Sequence, residues 1–391
     1  MTDEAGGRIL PNWQGELQMQ WVKKTTWAHA LKHTMTACGV VLSLGLGMGS
    51  AAAAEKPKVY FSMGFVGNNW MTEARNMITA LAESDGYRDK IGFEIQSAGG
   101  NAQQQIQQIG GMVQAGAKAI IIYPINEAAL KQVISRGCKA GVSFYVINGS
   151  DDTCAHSVKI DGVSLGRERM DWMAKQLGGK GNVVVLTGIP GTTFSDETQR
   201  GVDESLKENP GIKVVATLNG EWSQQATRVR MQELLATKSW DDIDGVVAAE
   251  ACYTIYQMQV EAGRPTDKLK PCAAQDENGF RIAMLPKGTT EGAVGMPGFS
   301  TDSMIWVIPM SLKFAVDEID GKPVEKVQIF KAGVVDNSIV KFCTTGSTAE
   351  LQAGCNVFPA DKVPNDWQAG FWHPDLPQLD FAAVTTGKVA E

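Results

Sequence analysis

The sequence predicts an α/β protein built from two doubly wound parallel-sheet lobes. Apolar strand segments alternate with amphipathic helical segments at a spacing of about 30 residues, which is the pattern of βαβ units. Continuous apolar runs such as residues 119–123 are typical of strands that are buried on both faces. The alternation occupies residues 59–160 and starts again at residues 182–186, so we expect two similar lobes.

The first strand and helix set the expected position of a binding site. Residues 59–63 form a predicted buried strand, a glycine-containing loop follows, and an apolar helical stripe comes next. Asn69 and Trp70 lie where the strand gives way to the helix. Ligands of open α/β sheets bind outside the carboxyl ends of the strands, so these two side chains are candidates for ligand contact. The alternative is an amide that caps the helix beside a half-buried indole.

The remaining elements follow in order from apolar periodicity and from turn residues. Asn101 begins a predicted helix, with Gln104 at the spacing of a capping box. Further strands are predicted at residues 91–95, 119–123, 143–147, 157–160, 182–186, 212–218, 245–249, 270–274 and 327–330. Further helices are predicted around residues 126–139, 165–177, 200–206, 225–235, 254–261 and 306–319.

The N-terminal region has the features of a signal peptide. Lysines precede an apolar run over residues 37–48, and small residues follow it up to Ala54. We therefore expect residues 1–54 to be a signal-peptide region cleaved near Ala54, and an exported, periplasmic protein. The true start is left open between Met1 and Met19.

The rest of the chain divides into two lobes and a tail. We assign residues 55–160 and 298–325 to an N-terminal lobe, and residues 161–297 and 326–345 to a C-terminal lobe. Glycine and proline cluster at three expected crossings of the hinge, near residues 160–162, 295–298 and 323–326. In residues 346–391 prolines alternate with aromatic residues. This pattern predicts an irregular C-terminal extension that lies over the surface.

Composition and motifs exclude several functions. The chain has 391 residues and a formal net charge of −7, which gives nucleic-acid binding little electrostatic support. No Walker loop occurs in the sequence, and no nucleophile elbow is predicted. Histidines, cysteines and carboxylates are not spaced as metal ligands. We therefore expect no cofactor, no metal and no enzymatic activity.

Six cysteines follow the predicted cleavage site. An even number of cysteines in an exported chain indicates disulfides, and pairs of sequence neighbours are the economical choice among 15 connectivities. This predicts the pairs Cys343–Cys355, Cys138–Cys154 and Cys252–Cys272. Free buried cysteines are the alternative.

Several segments together resemble the periplasmic sugar-binding proteins of ABC transporters, of the ribose-binding type. They are residues 67–70, 120–124, 144–148, 188–192, 199–201, 276–279 and 293–297. The resemblance implies the type I periplasmic binding fold, with a sugar or polyol held between the lobes. It also implies a membrane permease as partner, with a chemoreceptor as a further candidate, and a monomer that binds no nucleic acid.

The same resemblance implies a set of ligand-binding residues from both lobes. They are Asn69, Trp70, Tyr123, Asn148, Arg200, Trp222, Glu250 and Asp276. Carboxylates and arginine suit hydroxyls because they form charge-assisted hydrogen bonds. A structural role remains open for each polar residue in this set. In that structural role, Arg200 forms an ion pair with an acidic residue of its own helix, Glu250 caps the helix that follows it, and Asp276 and Asn148 each form a turn.

Other functions are weighed against the receptor. Glu250 and Asp276 would be the acid/base pair of an enzyme. A repressor of the same fold would need an N-terminal helix-turn-helix in place of the predicted signal. A receptor for a non-sugar small molecule, or a chemotaxis sensor, is the remaining alternative.

Overall fold

The structure is a computed structural model that describes residues 55–149, 154–377, 379 and 381–388. The predicted signal-peptide region lies outside the described residues. In chain order the strands are β1 (Lys58–Met63), β2 (Gly92–Ser97), β3 (Ala117–Tyr123), β4 (Ser143–Ile147), β5 (His156–Ile160), β6 (Gly181–Thr187), β7 (Ile212–Asn219), β8 (Gly245–Ala248), β9 (Cys272–Gln275), β10 (Gly298–Thr301), β11 (Val327–Phe330) and β12 (Val334–Asp336).

Helices lie between most of the strands. They are α1 (Asn69–Glu83), α2 (Ala102–Gln114), α3 (Glu127–Lys139), α4 (Gly162–Gln176), α5 (Thr193–Glu208), α6 (Gln224–Leu235), α7 (Cys252–Glu261), α8 (Asn278–Met284), α9 (Val307–Ile319), α10 (Thr348–Gln352) and α11 (Phe381–Thr386). Asn101 caps α2 as predicted, since its side chain accepts a hydrogen bond from the backbone N–H of Gln104.

The strands form two six-stranded sheets, which confirms the predicted fold class. The first has the order β11-β5-β4-β3-β1-β2, and the second the order β12-β10-β9-β8-β6-β7. Every pairing is parallel except that of β10 with β12. Separate apolar clusters cover the two faces of each sheet, as a doubly wound fold requires.

Two of the three predicted hinge crossings are misplaced. Residues 298–301 were expected to begin an N-lobe segment, but they form β10, which pairs with β9 in the second sheet. Strand β11 was expected in the C-lobe, but it pairs with β5 in the first sheet. The chain therefore crosses between the sheets after β5, between β10 and α9, and between β11 and β12. The glycine near the expected second crossing belongs to a turn, because the N–H of Gly295 bonds to the carbonyl of Leu285.

The C-terminal extension is more than a surface covering. We call the described residues from 346 to 388 the C-terminal strap. It supplies buried apolar side chains to the core cluster built on the first sheet, α1 and α9. They are Leu351, Cys355, Phe358, Val363, Ala369, Phe371, Leu376, Leu379 and Val384. The expectation of a purely superficial extension was therefore wrong.

All three predicted disulfides are present. The bonds join Cys138 to Cys154, Cys252 to Cys272 and Cys343 to Cys355, with sequence separations of 16, 20 and 12 residues. The last bond closes the loop that begins the strap. Among the described residues, no helix is long and apolar enough to cross a membrane, and no group of three or more potential ligands could hold a metal ion.

We expect the loss of the Cys343–Cys355 bond to destabilise the protein. Replacing both residues by serine should lower the free energy of unfolding by about 2–4 kcal/mol, because the unfolded chain regains the entropy of an open loop. Guanidinium denaturation of the purified protein measures the difference. The Cys138–Cys154 bond closes a loop of similar length, so the Cys138→Ser/Cys154→Ser variant should lose a similar amount of stability. An unchanged midpoint in the first variant would contradict the prediction.

Candidate ligand cleft

A cleft runs between the two lobes along the carboxyl ends of the strands. Its deepest part, the inner chamber, is lined by Phe65, Asn68, Trp70, Tyr123, Asn148, Ile160, Phe194, Trp222, Glu250, Gln275 and Ser303. The inner chamber has a cavity volume of about 30 Å³. An outer chamber of about 270 Å³ shares Phe65, Tyr123, Asn148, Phe194 and Trp222 with it and is lined further by residues 124–128, Lys131, Ile147, Ile189 and residues 191–193. The lining residues end a strand or lie in the loop or first helical turn after one, which is where open α/β sheets bind ligands.

Aromatic rings form the N-lobe wall of the inner chamber. The ring centroids of Trp70 and Tyr123 lie 5.3 Å apart, and those of Phe65 and Tyr123 lie 5.9 Å apart. The indole Nε1 of Trp70 donates a 2.9 Å hydrogen bond to the backbone carbonyl of Ser303. Since Ser303 follows β10 of the other sheet, this bond links the two lobes at the floor of the cleft.

Trp222 forms the opposite wall in a constrained position. It has a φ of 50°, and Phe194 lies beside it with a centroid separation of 6.3 Å. A Cβ atom on Gly188 would lie 2.4 Å from the indole, so only glycine leaves room for the ring. Asn68 reaches across the cleft, and its Nδ2 donates to the Trp222 carbonyl at 3.5 Å. We therefore regard Trp222 as held in place from both lobes.

Asn148 combines a structural contact with a place in the lining. Its Oδ1 accepts a 2.8 Å hydrogen bond from the N–H of Ile160, and its φ is 51°. This fits the turn-forming alternative, because asparagine tolerates the left-handed region. Asn148 nevertheless lines both chambers.

Polar side chains from the C-lobe close the chamber. Glu250, Gln275 and Ser303 are all buried. Glu250 does not cap α7, whose N-cap residue is Ala251 with no side-chain cap bond. Burial, together with the charges of Glu277 and Asp276, raises the pKa of the Glu250 carboxyl well above its ordinary value. These groups provide hydrogen bonding at the floor of an otherwise aromatic site.

Three residues expected to contact ligand have other surroundings. The Nδ2 of Asn69 donates to the backbone oxygen of Asp366 at 2.7 Å and to its Oδ2 at 3.0 Å, so this side chain holds the strap. Arg200 is exposed on α5 and does not line the cleft. Asp276 is fully buried, and its Oδ1 accepts a 2.9 Å bond from the N–H of Ser303.

The strap explains the position of Asp276. A Cβ atom on Gly370 would lie 2.3 Å from the Asp276 Oδ2, so the strap covers that carboxylate closely. The N–H of Ala369 also donates to the Asp276 carbonyl at 2.8 Å. Asp276 therefore supports the floor of the cleft from behind and does not face the chamber.

Sequence reasoning missed lining residues that lie next to the expected ones. Asn68 precedes Asn69, and Gln275 precedes Asp276. In each case the strand-end rule located the loop but not the residue that faces the chamber. Ser303 was missed because residues 298–301, which form β10, were assigned to the other lobe. Phe65 and Phe194 also line the chamber.

The strap is hydrogen-bonded to both lobes. On the N-lobe side, Glu73 Oε1 accepts from the N–H of Gln368 at 2.9 Å, and Asn76 Nδ2 donates to the Val384 carbonyl at 2.9 Å. On the C-lobe side, Gln224 Nε2 donates to the Asp366 carbonyl at 3.1 Å. The strap therefore bridges the lobes beside the cleft.

The chain is similar in sequence to known binding proteins. The chain is 27% identical over 325 residues to a xylitol-binding protein of Mycolicibacterium smegmatis, covering 77% of this chain and 88% of that protein. It is 25% identical over 208 residues to the galactofuranose-binding protein YtfQ of Escherichia coli, covering 51% of this chain and 64% of that protein.

Solved structures share the fold. An ABC transporter solute binding protein from Thermobispora bispora aligns with a TM-score of 0.64 and 24% identity, covering 72% of this chain and 86% of the other. A galactofuranose binding protein aligns with a TM-score of 0.63 and 20% identity, covering 72% and 95%. These likenesses confirm the predicted type I periplasmic binding fold. Residues 59–305, more than half of the chain, match the family described as periplasmic binding protein domain, and the chain therefore belongs to that family of solute-binding proteins, which are not enzymes.

Proposed function

We propose that this protein is a periplasmic receptor that captures a sugar or sugar-like polyol and delivers it to an ABC importer. The observation that carries the proposal is the inner chamber, where aromatic rings from both lobes enclose a buried polar floor. Aromatic faces suit the C–H face of a sugar ring, and amides and carboxylates suit its hydroxyls. The relatives named for xylitol and galactofuranose binding support the same ligand class.

The proposed ligand contacts come from both lobes. Trp70, Tyr123 and Asn148 of the N-lobe and Trp222 and Glu250 of the C-lobe are retained from the sequence analysis. Asn68, Gln275 and Ser303 are added because they line the same chamber. A ligand held from both sides stabilises the closed arrangement of the lobes more than an open one, which is how binding would reach a membrane permease. We further propose that the receptor acts as a monomer.

A thermal-shift screen tests the proposed function. The purified protein is heated with pentoses, hexoses, linear polyols and cyclitols at millimolar concentration, and positive compounds are confirmed by calorimetry. A ligand that binds only the folded state raises Tm by mass action. We expect at least one compound of this class to do so. If no sugar or polyol shifts Tm or releases heat, the proposed ligand class is wrong.

Arg200 provides a negative prediction for the same ligand. The Arg200→Ala variant should bind the confirmed sugar or polyol within twofold of the wild-type affinity, because this side chain is exposed and does not line the cleft. Isothermal calorimetry measures the affinity of the variant. A tenfold loss would mean that α5 brings Arg200 into the cleft when ligand binds.

A further inference from the structure

We propose that the ligand carries a protonated amine beside its hydroxyl groups, and that the Glu250 carboxylate is its partner. The inference rests on the proposed function and narrows its ligand class to an amino sugar or amino polyol. It starts from the composition of the inner chamber. Among the residues that line it in the described part of the chain, Glu250 is the acidic side chain, and none is lysine, arginine or histidine.

The Glu250 carboxylate lacks a protein partner. In the part of the chain that the structure describes, its oxygens are not among the fully enclosed, unpartnered polar atoms, so the carboxyl opens onto the chamber although the residue is only 5% exposed. A buried carboxylate is normally paired, because desolvation of an unpaired charge is costly. The hydroxyl of Ser303 is likewise buried at the chamber without a hydrogen-bond partner. Two unsatisfied groups at one wall indicate the place of a polar ligand group.

The nearest buried guanidinium is already committed elsewhere. Arg169 donates through Nε and Nη2 to the Thr301 hydroxyl, at 3.1 and 2.6 Å. Its Nη1 donates to the carbonyls of Ala248 and Ala249, at 3.1 and 3.3 Å. It moderates the charge of Glu250 from a distance, but it forms no bond to that carboxylate.

Further carboxyls stand behind the chamber. Glu73, Asp276 and Glu277 are fully buried, and Glu277 and Asp276 act on Glu250 by charge repulsion. Arg281 is the other buried guanidinium of this region, and it bonds to Ser300 at 2.8 Å and to Asp302 at 2.9 Å. The chamber therefore lies beside four buried carboxyls and two guanidiniums, of which Arg281 also pairs with Asp276 at 3.9 Å. This excess of acidic groups favours a cation over an anion.

The aromatic walls favour the same ligand. The rings of Phe65, Trp70, Tyr123, Phe194 and Trp222 line the chamber around the carboxylate. Aromatic faces attract ammonium groups, most strongly when the site is desolvated. A neutral polyol would satisfy the hydrogen bonds, but a cation would in addition favour the charged form of a carboxyl whose pKa is raised by burial and by neighbouring carboxyls. An ammonium group satisfies both requirements at Glu250.

Matched ligand pairs test the inference. Calorimetry at pH 7.5 and low salt compares D-glucosamine with D-glucose, D-galactosamine with D-galactose, and 1-amino-1-deoxy-sorbitol with sorbitol. For the pairs that bind, we expect the amine to bind at least tenfold more tightly than its hydroxyl counterpart. Lowering the pH should weaken binding of the amine, because the buried carboxyl becomes protonated and loses its charge. Raising the salt concentration should have little effect, since the pair is desolvated.

Variants assign the preference to Glu250. Glu250→Gln should weaken amine binding at least tenfold more than it weakens hydroxyl binding, whereas Glu250→Asp should keep a preference for the amine. Asp196→Asn, which alters an exposed carboxylate on α5, is the matched control and should change neither. Thermal melting of the free variants checks that each one folds.

The outcomes separate the inference from the proposed function. If neutral sugars or polyols bind as tightly as their amino counterparts, or if Glu250→Gln weakens both members of a pair equally, the amine inference is wrong and the sugar receptor stands. If neither series binds at all, the inference and the proposed function both fail.

Discussion

Replacing Asn278 by alanine should detach the C-terminal strap and lower the free energy of unfolding by about 3–5 kcal/mol. The Asn278 Nδ2 donates to the carbonyls of Phe358 and Val363, at 3.0 and 2.7 Å, and its Oδ1 accepts from the N–H of Phe358 at 2.9 Å. All three bonds are buried. Alanine would remove these three bonds from the strap backbone in the interior, and a buried polar group left unsatisfied costs about 1–3 kcal/mol.

Chemical denaturation and limited proteolysis measure the effect. We expect a lower denaturation midpoint and faster cleavage within residues 346–377, because a detached strap exposes its backbone to protease. Asn76→Ala is the matched control, since its side chain makes one part-buried bond to the strap and its loss should cost about 1 kcal/mol. Equal stability of the two variants would show that Asn278 does not anchor the strap.

The fold class could be predicted because it depends on a long, repeated pattern. Each βα unit gives its own periodic signal, and the two series of units independently indicate parallel sheets. The lobe boundaries depend on β10 and β11, which have only four residues each. Such short strands carry no signal for which sheet they join, and glycine clusters mark turns as well as hinges. The sheet pairing of these strands could therefore not be derived from sequence.

The burial of the strap could not be predicted for a related reason. Its buried residues, among them Phe358, Val363 and Phe371, occur at irregular intervals among prolines, without a period of 2 or 3.6. Irregular chain is normally read as surface. Here it is held by side-chain amides such as Asn278, which satisfy its backbone groups in the interior, and no local pattern predicts partners that lie 80 residues apart.

The candidate site was located to within one residue along the chain. The strand-end rule indicated Trp70, and the family resemblance implied Tyr123, Asn148, Trp222 and Glu250; all five line the chamber. Alternation along a strand places neighbours on opposite faces, so an end that is misjudged by one residue exchanges Gln275 for Asp276. Arg200 lies outside the lining for a different reason, because the rotation of a helix about its axis decides which side chains face a cleft.

Both walls of the chamber reach across the lobes through backbone groups. Trp70 donates to the Ser303 carbonyl, and Asn68 donates to the Trp222 carbonyl. The two aromatic walls are therefore positioned by contacts that exist only when the lobes are together. The strap adds bonds to both lobes beside them. This arrangement makes the position of Trp222 the most sensitive point of the proposed site.

Displacing Trp222 should therefore abolish most ligand binding without unfolding the protein. Trp222→Ala removes the C-lobe wall, and we expect a loss of affinity of about 100-fold, which corresponds to roughly 2.7 kcal/mol. Gly188→Ala tests the same wall by displacing the Trp222 indole. Its Cβ would lie 2.4 Å from the indole Cε2 and Nε1, so the ring has to move, while the backbone at Gly188 does not have a positive φ and accepts alanine.

Calorimetry with the sugar, polyol or amino derivative that binds the wild type measures both variants, and thermal melting shows that they fold. Gly110→Ala is the matched control, because its new Cβ on α2 would meet nothing within 4 Å and its φ is not positive. It should retain full affinity and gain slightly in stability, since alanine favours the helix. If Gly188→Ala also retains full affinity, the indole of Trp222 does not form the wall against which the ligand binds.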